Sequence, residues 1–274
     1  MPSNTRILAA LADLHGGYRL GLMAPGLRLT DADGVLNGVQ EYLWTMYETC
    51  IANTINLANG RDIILLVNGD VCHGNKYPVE LVSTALVDQI RIGAANIKPW
   101  LKYDNVKIVR AVSGTGAHEF GESSATSLVV DLLREGYPHK DIKAIHHGLM
   151  CVGDKIIDYS HHGAHPGSRL WLRGNVARYF LRDRMLQDIL EGGRPADLYL
   201  CGHFHQYVRE VLDTGSYRSE LYILPSFCMT GEHGRQATRS APYETNGMIA
   251  FEIGDRLDAH PFVWTIDTRQ KESI

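Results

Sequence analysis

Residues 62–74 read DIILLVNGDVCHG, and the way this stretch begins and ends decides the architecture. Ile63 to Val67 is unbroken apolar sequence rich in β-branched residues. A run without alternation is a strand buried on both faces, the habit of central strands in parallel sheets. The run stops at Asn68-Gly69 and then delivers Asp70 and His73. Ligand sites in open α/β sheets lie at the carboxyl ends of strands, so these two side chains stand where chemistry is expected.

Working outward, Arg6 to Ala12 repeats the pattern of a buried strand, and Val106 to Val112 supplies a third. Between the first two, Leu36, Val39, Leu43, Tyr47, Cys50, Ile51 and Ile55 recur at three and four residues, one face of a long helix. Pro78 is expected to open a helix that runs toward Lys98. Ser123 or Ser124 caps another that passes Arg134 and stops at Gly136. Lys143 to Ser160 reads as two strands around a Gly153-Asp154 turn, followed by a helix from Asn175 to Leu190 and a strand from Asp197 to Cys201. Short β segments then dominate: LYILP (221–225), MIAFEI (248–253) and FVWTI (262–266). A β-α-β-α-β first half with a β-rich second half predicts an α/β protein, a two-sheet αββα sandwich, with residues 1–274 as one domain.

Composition narrows the function classes. The 274-residue chain is 45% hydrophobic, enough for a sizeable core, and its net charge of −4 gives no electrostatic footprint for unspecific nucleic-acid binding. The five cysteines never form a CxxC pair, which argues against a disulfide framework or structural zinc and fits a reducing cytoplasm. The opening apolar run ILAALAD is too short to span a membrane and lacks the layout of a signal peptide, so a cytoplasmic location without membrane contact is expected.

The other strand ends carry the same residue types as the first. Asp13 and His15 follow strand one, His118 and Glu119 follow strand three in SGTGAHEF (113–120), His161 and His162 follow the strand ending at Ser160, and His203 and His205 follow the strand ending at Cys201. Residues two apart in an extended segment point the same way, so Asp13 with His15, and His203 with His205, can each aim two ligands at one place. Asp70, on a central strand, could bridge two ions. Imidazole and carboxylate together suit zinc, manganese or iron better than calcium or magnesium.

In this order the blocks DLH, GDVCH, GAHE, HHG and GHFH resemble the calcineurin-like metallophosphoesterases over about residues 8 to 206. The family pattern is DxH, GDxxD, GNH[D/E], a His often followed by Gly, and GHxH. A narrower likeness points to phage or prophage members. The resemblance implies a sandwich of that family's type and two divalent ions, manganese first, with zinc, iron or nickel as alternatives. It places Asp13, His15, Asp70 and His205 at one ion, and Asp70, His203 and a histidine of the HHG block at the other. His162, preceding Gly163, is the preferred member of that pair and His161 the competitor. His118 becomes the imidazole that protonates the leaving oxygen or stabilises the phosphoryl group.

Two positions depart from the pattern. Ala117 stands where the family has an Asn ligand, and His73 where it has an Asp. His73 either accepts a hydrogen bond from His118 or reaches the second ion and compensates for Ala117. The expected activity is metal-assisted hydrolysis of phosphate esters, with nucleotide-like or small organic diesters preferred over monoesters and nucleic acid possible but not indicated by charge. A metal-poor scaffold acting as a binding module is the rival reading. The bland readings are solvated turns for His146 and His147, no pattern for His165, and covering loops for residues 16–29, with Arg19 and Arg28, and for residues 229–239.

Overall fold

The computed structural model describes residues 5–30, 33–121, 124–167, 169, 172–231, 242–270 and 272. Strand β1 (Arg6–Leu11) is followed by the short pair β2 (Leu27–Arg28) and β3 (Asp33–Gly34), helix α1 (Gly38–Ala58) and strand β4 (Ile63–Asn68). Helix α2 (Leu86–Leu101), β5 (Val106–Val112), α3 (Ser124–Gly136) and β6 (Asp141–Ile145) complete the first half. The second half contains β7 (His147–Val152), β8 (Lys155–Ser160), α4 (Asn175–Leu190), β9 (Leu198–Cys201), β10 (Val208–Asp213), β11 (Arg218–Ile223), β12 (Tyr243–Ile253) and β13 (Leu257–Asp267).

These strands form a six-stranded sheet, ordered β13-β12-β1-β4-β5-β6, and a five-stranded sheet, ordered β10-β11-β9-β8-β7. β1, β4, β5 and β6 run parallel. Period-two alternation explains the unbroken apolar runs. On β1 and β4, Ile7, Ala9, Leu11, Ile63, Leu65 and Val67 face the helices α1 to α3, while Leu8, Ala10, Ile64 and Leu66 face the second sheet. There they meet Ile157, Tyr159, Leu198, Leu200 and Tyr222. Helix α4 covers the far side of the second sheet through Ala177, Leu181 and Met185. The chain is thus a mixed α/β protein with helix, sheet, sheet and helix layers.

Local chemistry sets the helix ends. Asn37 caps α1 by accepting from Val39 and Gln40 at 3.0 Å each, and Gln40 returns the favour to the Asn37 N–H at 3.2 Å. Loss of such a cap costs about 1 kcal/mol. Asn59 ends the helix in the left-handed conformation. Pro78 opens only a 3₁₀ turn, Pro78–Glu80, and α2 starts at Leu86 rather than at Pro78. The intervening backbone is committed elsewhere: Leu81 pairs with Tyr18, and the Val82 N–H donates to Gly17 at 2.8 Å.

Other expectations are corrected in detail. The hairpin about Gly153-Asp154 forms from β7 and β8, but it begins at His147 rather than at Lys143. Lys143 to Ile145 ends β6 in the first sheet, and the chain crosses at His146 to begin β7 in the second. Residues 16–29 form a packed covering loop. Leu22 and Met23 are wholly buried, Gly21 bridges Cys228, Arg28 is exposed, and the Arg19 Nε–H donates to the Leu81 carbonyl at 3.1 Å. Of residues 229–239, positions 232–239 lie outside the described residues. No helix among the described residues is long and apolar enough to cross a membrane.

Candidate metal centre

Five strand ends converge where the two sheets meet: β1, β4 and β5 from one, β8 and β9 from the other. Asp13, His15, Asp70, His203 and His205 all have positive φ, between 47° and 73°. They are five of the seven non-glycine residues in that region among the described residues. Such backbone costs of order 1–3 kcal/mol each and persists where the surroundings enforce it. The paired ligands therefore do not lie on extended segments, as their i, i+2 spacing implied. Each pair is aimed by left-handed turns. Cross-links between the turns hold them, with the Asp13 and His15 N–H groups donating to the Gly69 and Asp70 carbonyls at 3.2 and 2.8 Å. Gly69, at φ 89°, is required because a Cβ there would collide with the His161 ring.

The side chains fall into two sets sharing Asp70. In the first, His205 Nε2 lies 3.3 Å from Asp13 Oδ1 and 3.1 Å from His15 Nε2, which is 3.8 Å from Asp70 Oδ2. In the second, His161 Nε2 lies 3.2 Å from Asp70 Oδ2, and donor atoms of His161, His162 and His203 lie within 4.8 Å of one another. Asp13 and Asp70 are 0% and 2% exposed, two carboxylates taken out of water together. Asp13 Oδ1 is buried without any hydrogen-bond partner.

The surrounding charges polarise the imidazoles. Burial alone would raise Asp70, yet His161, His15 and His118 hold its carboxyl well below the usual range. Burial opposes protonation of His161, but Asp70 and Asp13 overcome it and carry the ring to about 9. His205 is likewise raised against burial by Asp13. His15 is pushed well below its ordinary value by burial and by His118. Burial and His118 also push His73 down to about 3. The cluster therefore sets buried carboxylates among imidazoles pulled in opposite directions, His161 and His205 toward protonation and His15 and His73 away from it, with His15 Nε2 and His205 Nε2 only 3.1 Å apart. Buried charge of this kind is paired or coordinates metal. The donor set fits divalent cations, and Asp13, Asp70 and His161, or His161, His162 and His203, bring their donor atoms close enough to hold one.

Of the histidine pair after β8, the structure turns His161 inward, 1% exposed against both carboxylates, and leaves His162 at the rim. His161 is thus the buried member of the pair, and His162 keeps a donor atom within 4.8 Å of those of His161 and His203. His161 Nδ1 lies 2.8 Å from the Asn68 carbonyl oxygen and donates to it, which leaves Nε2 for the site. His73 does not reach the second set. Its Nδ1 is 3.1 Å from His15 Nδ1, its ring stacks on Tyr18 at 4.1 Å, and its own backbone carbonyl accepts from His118 Nδ1. Its hydrogen bond with His118 thus runs through the carbonyl, and its buried Nε2 has no hydrogen-bond partner. Glu119, beside His118 in sequence, faces away and ties Gly114 to Thr126 of α3. His147 pairs with Asp158 at 2.6 Å, and His165 packs on Phe204.

Two residues at the site escaped the sequence reading. Thr115 Oγ1 lies among Asp70, His161 and His203, and Cys228 Sγ lies near His15 and His205. Neither has a spacing signal, because Thr is an ordinary loop residue and Cys228 follows a strand that no motif marks.

Fold and site together define a two-sheet α/β sandwich bearing a buried histidine–carboxylate cluster able to hold metal. No family model matches the chain, and no curated protein matches it. Among solved structures, the chain is similar to the sulfate thiohydrolase SoxB of Thermus thermophilus, at 14% identity over 93% of this chain with a TM-score of 0.42. It spans 56% of that chain's length. It is also similar to a metallophosphoesterase from Sphaerobacter thermophilus, at 12% identity, 93% and 87% coverage and a TM-score of 0.36. A third is Vps29 of Chaetomium thermophilum, at 9% identity, 96% and 99% coverage and a TM-score of 0.33.

Proposed function

We propose that the protein is a dinuclear metal-dependent phosphoesterase of the calcineurin-like type, acting on phosphodiesters of nucleotide-like or small organic character. The observation that carries the reading is Asp70, a buried carboxylate close to His15 and His161, with Asp13 Oδ1, which accepts no hydrogen bond, beside it. Bound there, a pair of divalent ions would supply Lewis acidity toward the phosphoryl oxygens and a water acidic enough to attack near neutral pH. The chain's own residues do the rest. His118, with Nδ1 committed to the His73 carbonyl, presents Nε2 to the cavity, 3.8 Å from Asp70 Oδ2, where it can hand a proton to the leaving oxygen.

The mouth supports the diester preference. A cavity of about 460 Å³ opens over the cluster, with Tyr77, Phe204 and Tyr243 among its walls. Flat aromatic surfaces of this kind accept a nucleobase or aryl group. Glu80 and Glu244 also line it, and these carboxylates repel a dianionic monoester more than a monoanionic diester. The test compares bis-p-nitrophenyl phosphate with p-nitrophenyl phosphate under manganese, zinc, iron and nickel. Faster turnover of the diester is expected with the activating metal. Faster monoester turnover under every metal would remove the diester preference. Bound metal near zero after incubation with manganese or zinc would leave the scaffold reading instead.

Metal uptake should also depend on pH. A cation must displace the proton that Asp70 and Asp13 hold on His161, raised to about 9. Apparent affinity is therefore expected to climb as pH rises toward about 9 and then level off, with proton release visible as buffer-dependent binding enthalpy. An affinity flat from pH 6.5 upward would contradict this.

A further inference from the structure

We infer that the Thr115 hydroxyl supplies the oxygen donor that the second metal position lacks at Ala117, an inference that rests on the dinuclear reading above. Thr115 Oγ1 lies 3.4 Å from Asp70 Oδ2, 3.4 Å from His161 Nε2 and 3.2 Å from His203 Nδ1. Those three atoms come from three different strand-end loops and are the ones a cation in the second set would take. A hydroxyl has one proton to donate. Facing a carboxylate oxygen and two imidazole nitrogens from three loops, the hydroxyl keeps lone pairs free to be directed at a cation those three atoms would share.

The backbone builds this position. Val112 ends β5, and the chain then turns so that the Thr115 N–H donates to Asp70 Oδ1 at 2.7 Å. Gly114 is required there, because a Cβ would strike the Asp70 carboxylate. The His118 N–H closes the turn on the Thr115 carbonyl at 2.8 Å. Thr115 and His118 thus both face the cluster, while Gly116 and Ala117 form the outside of the bend. Ala117 packs its carbonyl against Gly74. Counted back from His118, the ligand position falls on an alanine; counted forward from β5, it falls on Thr115. His73 is no competitor, since its donor atom groups with those of His15 and His118 and not with those of His161 and His203.

A neutral hydroxyl oxygen is a hard donor, suited to manganese or magnesium more than to a thiophilic ion, as Ser/Thr ligands of Mg²⁺ in phosphate-binding loops illustrate. The test titrates the full-length wild type, Thr115→Val, Thr115→Ser and His73→Gln with Mn²⁺, reading stoichiometry by calorimetry and the spin-coupled Mn pair by EPR. Wild type and Thr115→Ser are expected to bind two ions with a coupled signal. Thr115→Val should keep one tight ion and bind the second about 10- to 100-fold more weakly, losing the coupled signal when metal is limiting. His73→Gln should leave the second ion's affinity unchanged. Circular dichroism of the metal-free proteins checks that all fold. Unchanged affinities in Thr115→Val, a Ser variant as weak as the Val variant, or a second-ion loss in His73→Gln would each overturn the assignment. A wild type that binds no metal at all would instead overturn the dinuclear reading on which it rests.

Discussion

Asp70→Asn is expected to remove both metal positions at once and to lower phosphodiester turnover by about three orders of magnitude or more, the scale of losing a principal transition-state stabiliser. The reason is geometric. Asp70 is the one carboxylate within 3.8 Å of His15, His118 and His161 together, so each set loses an anion when its charge is removed. The amide is nearly isosteric and can still accept from the Thr115 N–H, so the loop has no reason to collapse. A readout independent of catalysis is thermal stability. Mn²⁺ at about 100 times its dissociation constant stabilises a one-site protein by about 2.7 kcal/mol, a rise on the order of 5–10 °C for a chain of this size. That metal-dependent rise should be present in the wild type and absent from the variant. An Asp70→Asn protein that still binds two ions, or still gains the full thermal shift, would show that Asp70 is not the shared ligand.

The architecture was legible to the extent that burial writes itself into local pattern. β4 and β1 are apolar at every position because both faces are covered, and that pattern names a central parallel strand without knowing its neighbours. Pairing partners are a different matter. Residues 143–160 contain strand-like sequence throughout, yet they belong to two sheets, and nothing periodic marks the crossing at His146. β10 was passed over because Val208 to Asp213 mixes charged and apolar residues, as an edge strand does. Pro78 misled because its first-turn preference holds for 3₁₀ turns as well as for α-helices.

At the site, identity was legible and direction was not. Asp and His at five strand ends announce themselves by type and order. Whether His161 or His162 points inward depends on how β8 meets β9, a tertiary fact, and the Gly after His162 is no substitute for it. Of the i, i+2 pairs, Asp13 and His15 turn toward the same set, whereas His203 and His205 part to different ones, and both pairs are aimed by left-handed turns whose φ values no motif spells out. Ala117 looked like a gap because a motif was counted from its histidine, while the chain positions ligands from its strand. The same loop, counted from Val112, puts a hydroxyl beside Asp70.

The remaining large effect concerns His118. His118→Ala should lower turnover of diesters with poor leaving groups by about 10²- to 10⁴-fold, the range for loss of a positioned general acid, and leave both metal affinities in place. With p-nitrophenolate as leaving group the loss should be far smaller, since that oxygen departs without needing a proton. The distinction follows from how the ring is held. Its Nδ1–H donates to the His73 carbonyl, which fixes the ring's orientation, and Nε2, the nitrogen that in the imidazolium form carries the proton to be transferred, faces the cavity beside Asp70 without belonging to the His161–His203 set. Proton transfer at that nitrogen predicts a rate that becomes more sensitive to leaving-group pKa once the ring is gone. A ring that only offers electrostatic stabilisation predicts the same loss for every ester. Parallel rate plots for wild type and variant across a series of aryl and alkyl diesters would therefore reject His118 as the acid, and loss of bound metal in the variant would make it a ligand instead.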